Sequence, residues 1–196
     1  MTASTPTRDR ILDAAMELFS ENGFRGTSIT QIETAAGLTP GAGGIYHHFR
    51  TKEALLEAGI ARNLERLTAL RDIGRLMTDL GDLRAELTIV ARYVLTELDN
   101  EQPLIRIMAS EARTRPRLME RVREQLVQKS FSGFARWLER EADITPERAA
   151  AVTAVGLGAL LSSRLMPTVF GADPTAVDDE TFVRTWVTMM LGALAE

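Results

Sequence analysis

The chain reads as all-α, with about nine helices in two domains. Three observations predict this. Apolar residues recur at helical spacing through most of the 196 residues, each stripe marking one buried helix face. Capping and stopping residues fall between the stripes: Ser28 with Gln31, Thr39-Pro40, Thr51, Thr145-Pro146, then Gly37, Gly81 and Gly171. No segment of any length alternates as a strand would, and no glycine-rich phosphate loop of the nucleotide-enzyme type is present.

Composition bounds the function. With 45% hydrophobic and 26% charged residues, the balance is that of a soluble globular protein. No apolar run approaches the ~18 residues of a membrane span. The start, MTASTPTRDR, lacks the basic end and apolar block of a signal peptide. Without cysteine there is no disulfide framework and no thiolate metal site. A cytoplasmic location is expected. The net charge of −4 argues at first against nucleic acid. Residues 1–52, however, are neutral: five bases (Arg8, Arg10, Arg25, Arg50, Lys52) balance five acids (Asp9, Asp13, Glu17, Glu21, Glu33). Between Thr27 and Lys52 only Glu33 is acidic, against Arg50 and Lys52. Local field governs phosphate contact, so moderate, salt-sensitive DNA affinity is compatible with an acidic chain.

Residues 1–7 are polar, include Pro6, and are expected to lack regular structure. The first helix runs to about Asn22 on the stripe Ile11, Ala14, Ala15, Leu18 and Phe19, and Asn22-Gly23 closes it. Phe24 anchors the small core. Ser28 with Gln31 forms a capping box for a second helix, in which hydroxyl and amide each satisfy a backbone N–H. Ile29, Ile32, Ala35 and Ala36 are its buried face, and Gly37 ends it. Thr39-Pro40 then starts a third helix, about Thr39 to Phe49, held by Ile45 and Phe49. Its exposed side chains are expected to be Thr39, Ala42, Tyr46 and His47. Gly41, Gly43 and Gly44 leave open a loop ahead of a shorter helix. Helix, glycine turn, helix is the helix-turn-helix pattern, whose second helix enters the DNA major groove.

The run Thr27-Ser28-x-x-x-Ile32, Ala36-Gly37-Leu38, Gly44-Ile45-Tyr46-His47-His48-Phe49 and Thr51-Lys52-Glu53-Ala54-Leu55 resembles the tetracycline-repressor (TetR) family. The resemblance covers the first quarter to third of the chain. It implies a three-helix DNA-binding domain over 1–52 and a ligand-sensing, dimerising helical domain over 53–196. Carried over by position, the residues it implies for DNA contact are Thr27, Ser28, Thr30, Gln31, Thr39, Pro40, Gly41, Ala42, Gly43, Tyr46, His47, His48 and Lys52. Gly37 and Tyr46 stand about two positions further apart than in the commoner form of the family, and the added length is the PGAGG run. Arg, Asn and Gln are absent from this stretch before Tyr46, so bidentate base contacts are missing. Readout is then expected from Thr39, from Ala42 or Pro40 against thymine methyls, from second-helix residues and from DNA shape.

Beyond Thr51 the chain is helical. Leu55, Leu56, Ile60, Leu64 and Leu67 carry a stripe to about Leu70, and Gly74 and Gly81 mark a boundary near 72–82. Helices follow over about Leu83–Leu98, Pro103–Thr114, Arg117–Ala142, Pro146–Met166 (broken by Pro167 and Gly171) and Asp179–Leu194. Ala149 to Leu161 is small or apolar all round, so a partner subunit is its expected cover. The resemblance implies a homodimer through a four-helix bundle of the last two long helices, with Val152, Val155, Gly156, Ala159, Leu160, Phe182, Trp186, Met189 and Met190 at the interface. A two-fold dimer predicts a pseudo-palindromic operator.

Tyr93, Met108, Phe131, Phe134, Trp137, Met166 and Phe170 offer bulky, adaptable apolar surface for a small-molecule effector, with Glu111 to orient it, although such residues are also plain core. Met119, Arg92 and Arg106 lie among them. His47 and His48 are the only histidines, and adjacent helix residues point about 100° apart. They cannot share a metal, and no nucleophile–base set or paired acid cleft is visible. No enzyme activity, metal or cofactor is expected. The expected function is a DNA-binding transcriptional regulator, most naturally a repressor released by a small apolar or amphipathic ligand. A ligand-independent regulator or an activator of the same fold is the alternative.

Overall fold

Among the described residues every regular element is helical. The computed structural model describes residues 6–75, 81–172 and 176–195, without the side chains of 66–75, 125 and 169. The boundary expected near 72–82 and the stripe positions Leu67 and Leu70 therefore fall partly or wholly outside what is described. The chain divides into two compact units, Met1–Arg66 with Glu101–Met119 and Leu67–Asn100 with Glu120–Glu196. The first takes in more chain than the 1–52 expected of a reading domain, because its first helix packs along a later one.

In the first unit, α1 (Thr7–Gly26) is broken by Gly23, whose φ of 71° and ψ of 164° lie outside the helix. α2 spans Ile29–Ala35 and α3 starts at Lys52 and runs to Arg75. Ser28 caps α2 as its spacing predicts: its hydroxyl accepts the Gln31 N–H at 3.2 Å, and Gln31 Oε1 accepts the Ser28 N–H at 2.7 Å. Such a cap stabilises a helix by about 1 kcal/mol. The core gathers Ile11, Leu12, Ala15, Met16 and Phe19 of α1, Ile32 of α2, and Leu55, Leu56, Ile60 and Leu64 of α3. α5 (Gln102–Glu111) closes it with Leu104 and Ile107. Arg62 pairs with Asp9 and Asp13 across α3 and α1.

In the second unit, α4 (Leu83–Asn100), α7 (Lys129–Ala142), α8 (Pro146–Phe170) and α9 (Asp179–Ala195) share one core. Leu87, Ala91, Leu138, Leu160, Val183 and Trp186 are at its centre. The Trp186 indole N–H donates to the Gly156 carbonyl at 2.8 Å, fixing the approach of α9 to α8. Arg164 bridges Asp99 and Asp179, each at 2.7 Å. Burial opposes its charge, but the hydrogen bonds to Asp179 and Asp99 outweigh that and raise its pKa above the usual guanidinium value.

Two expected elements differ. The single helix expected over 117–142 is α6 (Pro116–Val122), a π-helical stretch (Arg123–Gln128) and then α7. The wide turn shifts the register of the α7 face from that of α6. α8 also does not stop before Pro167 but runs through it to Phe170. A proline in the last turn forfeits one N–H, and the turn still closes: the Gly171 N–H donates to the Pro167 carbonyl at 2.8 Å.

Thr27, expected to contact DNA, is instead an internal tie. It is 1% exposed, and its hydroxyl lies 2.9 Å from both the Leu18 and the Gly23 carbonyl oxygens. Thr27→Val, which keeps the shape and removes the donor, is expected to lower unfolding free energy by roughly 1–3 kcal/mol. Urea denaturation followed by circular dichroism reads this loss, and an unchanged midpoint would remove the hydroxyl from the architecture.

Candidate nucleic-acid interface

The segment after α2 is a glycine loop followed by one short turn, rather than the helix over Thr39–Phe49 that its cap predicts. Gly37, Gly41 and Gly43 all have φ between 70° and 76°. An α-helix cannot contain that conformation, and side chains with a Cβ adopt it at a cost. Only Gly44–His47 is helical, as a 3-10 turn whose Tyr46 N–H donates to Gly43 O at 3.0 Å. Ile45 (0% exposed) and Phe49 anchor it to the core.

The anchoring leaves a continuous exposed surface. Thr30 and Gln31 of α2, Thr39, Pro40, Gly41 and Ala42 of the loop, and Tyr46, His47 and His48 of the turn are all exposed. Tyr46 reaches 54%. His48 is exposed beside the Phe49 ring, with centroids 6.4 Å apart. Ser28 is exposed as well, but its hydroxyl is engaged in the capping box. Gly43 is half-buried, with the Tyr46 ring beside it.

Lys52 is half-buried and has partners within the domain. Expected at a phosphate, its Nζ donates to the Thr27 carbonyl at 2.6 Å and sits 4.4 Å from the Phe24 ring centroid. An ammonium so held is worth about 0.5–2 kcal/mol to the corner it closes and is not free to follow a phosphate. Arg25 and Arg50, both exposed, are the cations that the surface offers instead. Arg115 covers the Phe24 ring at 4.0 Å, and Arg8 lies 5.2 Å from the Phe49 ring.

The residue that the sequence reading passes over is Glu33. It is fully buried, and its Oε2 accepts the Gly41 N–H at 2.7 Å. Its Oε1 has no hydrogen-bond partner among the described residues. The signal was available: Glu33 lies four residues after Ile29 and three before Ala36, on the inward face of α2.

The positions suggested for an effector are divided between the two units. Met108 and Glu111 belong to the first unit, where Glu111 Oε2 accepts from Thr114 at 2.8 Å and from Arg115 at 3.2 Å. Tyr93, Phe131, Phe134 and Trp137 belong to the second. There Phe134 stacks on Trp137 with ring centroids 5.3 Å apart, and both are packed in the core. Met166 and Phe170 are 40% and 73% exposed. Arg92, on the surface, pairs with Glu180 at 2.7 Å.

The outer faces of α8 and α9 enclose an open, apolar groove of about 320 Å³, lined among others by Val155, Ala159, Phe182, Trp186 and Met189. Of the nine interface candidates, Val155 and Met189 stand out into solvent at 68% and 65%. Leu160 is 0% exposed and belongs to the unit's own core, as do Val152, Trp186 and Met190. Among the described residues no group of three or more His, Cys, Asp or Glu is placed to hold a metal.

Comparison with known proteins agrees with this geometry. Residues 11–58 match the family model of bacterial regulatory proteins, tetR family. The HTH-type transcriptional regulator UidR of Escherichia coli strain K12 is 48% identical over 68 residues, 35% of this chain and 34% of that protein. The chain thus matches about a third of that relative's length. A putative TetR-family transcriptional regulator from Mesorhizobium loti superposes with a TM-score of 0.77 at 19% identity, covering 100% of this chain and 98% of that one. The transcriptional regulator FadR from Bacillus subtilis, in complex with stearoyl-CoA, gives 0.68 at 14% identity over 94% and 98% of the two chains. The two structures establish a shared fold along nearly the whole length, and the family model spans the α2–loop–turn segment and its flanks. Over residues 11–58, the chain therefore carries an N-terminal domain of the type found in bacterial regulatory proteins of the tetR family.

Proposed function

We propose that this chain is a DNA-binding transcriptional regulator that acts as a two-fold homodimer on a pseudo-palindromic operator. It works as a repressor, released when a small apolar or amphipathic ligand binds its C-terminal helical domain. The single observation that carries the DNA reading is the exposed run from Thr39 to His48, held outward by the buried Ile45 and Phe49. A tyrosine and two histidines on such a turn suit phosphate and base edges, with Arg25 and Arg50 nearby in sequence for backbone charge. Arginine and amide readers are missing before Tyr46, so specificity leans on Thr39, Ala42 and the shape of the duplex.

Dimerisation is supported by the apolar α8–α9 face, since solvent-exposed Val155 and Met189 lie where two copies would form a bundle. The ligand reading is supported by the structural neighbour crystallised with stearoyl-CoA. By linkage, a ligand that favours the DNA-free dimer binds it more tightly than the DNA-bound one. α3, continuous from Lys52 to Arg75, is the element through which a tilt would reach the reader.

The DNA reading is tested by band-shift titration of intergenic fragments flanking the protein's own coding region at ~100 mM salt. A specifically retarded fragment is expected. Tyr46→Ala and His47→Ala should each weaken it by about 5–100-fold, through one or two lost contacts. Absence of specific retardation across all these fragments would overturn the DNA reading.

The dimer is tested by Val155→Glu with Met189→Glu. Both positions are exposed in the protomer, so the helical circular dichroism should be unchanged while sedimentation reports a single subunit. The double variant sedimenting as a dimer would place the interface elsewhere.

A further inference from the structure

We propose that Glu33 is a positioning residue for DNA recognition: its buried carboxylate clamps the glycine loop, through the Gly41 N–H, into the shape that presents Thr39 to Ala42. The inference rests on the DNA-binding reading above and deepens it.

Glu33 is the only acid between Thr27 and Lys52, in the part of the chain that must approach a polyanion. A carboxylate there opposes binding unless it does something else. It is fully buried, so it neither solvates the surface nor offers itself to a base. It makes a 2.7 Å bond to Gly41, eight residues on. The loop it reaches has few ties of its own. Within Thr39–Gly43 the Ala42 N–H donates to Thr39 O at 3.3 Å, and Gly43 O accepts from Tyr46 at 3.0 Å. Gly41 itself is exposed and open on its side-chain face: a Cβ built there would meet nothing within 4 Å. No contact on that face holds Gly41, and the Glu33 carboxylate ties it through its N–H.

Gly41 and Gly43 both sit at positive φ, in a run with three glycines in four residues. Such a loop is the most entropically expensive kind to order. Left free, it would be ordered at the moment of DNA contact, and affinity would fall accordingly. A charge-assisted bond from a rigid helix orders it beforehand. The second oxygen, Oε1, has no partner among the described residues, so the side chain is kept despite an incompletely satisfied buried group. The placement makes sense if the bond to Gly41 is its use.

Glu33→Gln retains an acceptor at the same reach, Glu33→Ala removes it, and Glu33→Asp withdraws it by one methylene. The probe is the duplex selected by the wild-type protein from a random library, beside an unselected duplex at the same salt. For Glu33→Ala and Glu33→Asp, affinity for the selected duplex should fall by about tenfold or more, the worth of a charge-assisted bond. Affinity for the unselected duplex should hold within about twofold, because phosphate contacts carry it. Glu33→Gln should stay within about threefold on both, since a neutral acceptor restores the tie. In the free protein, the Gly41 amide should exchange faster in the alanine and aspartate variants than in wild type and the glutamine variant.

Should the alanine variant not fold, the aspartate and glutamine pair carries the comparison. Unchanged discrimination together with unchanged Gly41 exchange overturns the clamp. So does a glutamine variant as impaired as the alanine one, which would assign the effect to charge. If wild type selects no duplex, the DNA-binding reading fails, and Gly41 exchange still decides whether the clamp exists.

Discussion

Three helices meet at Thr27, and the reading unit depends on how they are tied there. The hydroxyl is within bonding distance of the Leu18 and Gly23 carbonyls of α1. The carbonyl of the same residue accepts the Lys52 ammonium from the start of α3. The next residue, Ser28, caps α2. One buried threonine therefore joins the end of one helix, the start of the second and the start of the third. Phe24 completes the corner with a cation on it from Lys52 and another from Arg115. Each contact is worth only about 0.5–2 kcal/mol, but all act on the same junction. Loosening one leaves the others with poorer geometry, as coupled contacts do.

From that corner outward, the residues that hold the frame and the residues that face water are different. Buried side chains make the frame: Ile32, Ile45, Phe49 and Leu55 hold the α2–loop–turn segment from within. The residues left facing water, Thr30, Thr39, Ala42, Tyr46 and His47, contribute little to that frame. They can therefore differ without unfolding the protein, which is what a family of readers for different operators requires. Glu33 stands between the two sets, buried like the frame but bonded to the loop.

The helices were legible because their signals are local. A stripe such as Ile11, Ala15 and Phe19, a capping box spanning four residues, or Gly37 at a helix end needs only neighbours in the sequence. The ties that make the site are not local. Thr27 reaches back nine residues to Leu18, and Lys52 reaches back twenty-five to Thr27. Seen in the sequence, both are a polar residue next to a helix start, indistinguishable from a phosphate contact. The glycine loop was ambiguous for another reason: glycine marks positive φ and close approach alike, and composition does not separate them. In the second unit, helical period shows that Trp137, Met166 and Phe170 are apolar on one side of a helix. It does not say whether that side meets the protein's own core, as for Trp137, or water, as for Phe170.

That last distinction bears on the assembly. Along α8, Val155, Ala159, Met166 and Phe170 are spaced four, seven and four apart, one line down the helix. Three of them are 40% or more exposed, while α9 adds Met189. Burying a valine, methionine or phenylalanine fully is worth about 1.5–3 kcal/mol each. One such stripe meeting an unlike surface would gain only its own share. A two-fold arrangement counts every residue twice, and with only the exposed fractions of the four large side chains left to bury the gross gain is roughly 7–15 kcal/mol if fully covered. Against this stand ~4–15 kcal/mol for lost translational and rotational freedom, and more for ordering side chains. The balance is favourable only when most of the stripe is covered at once. A two-fold pairing would achieve that with a single self-complementary face, and under the proposed function it would give two readers the relation found in a pseudo-palindromic duplex.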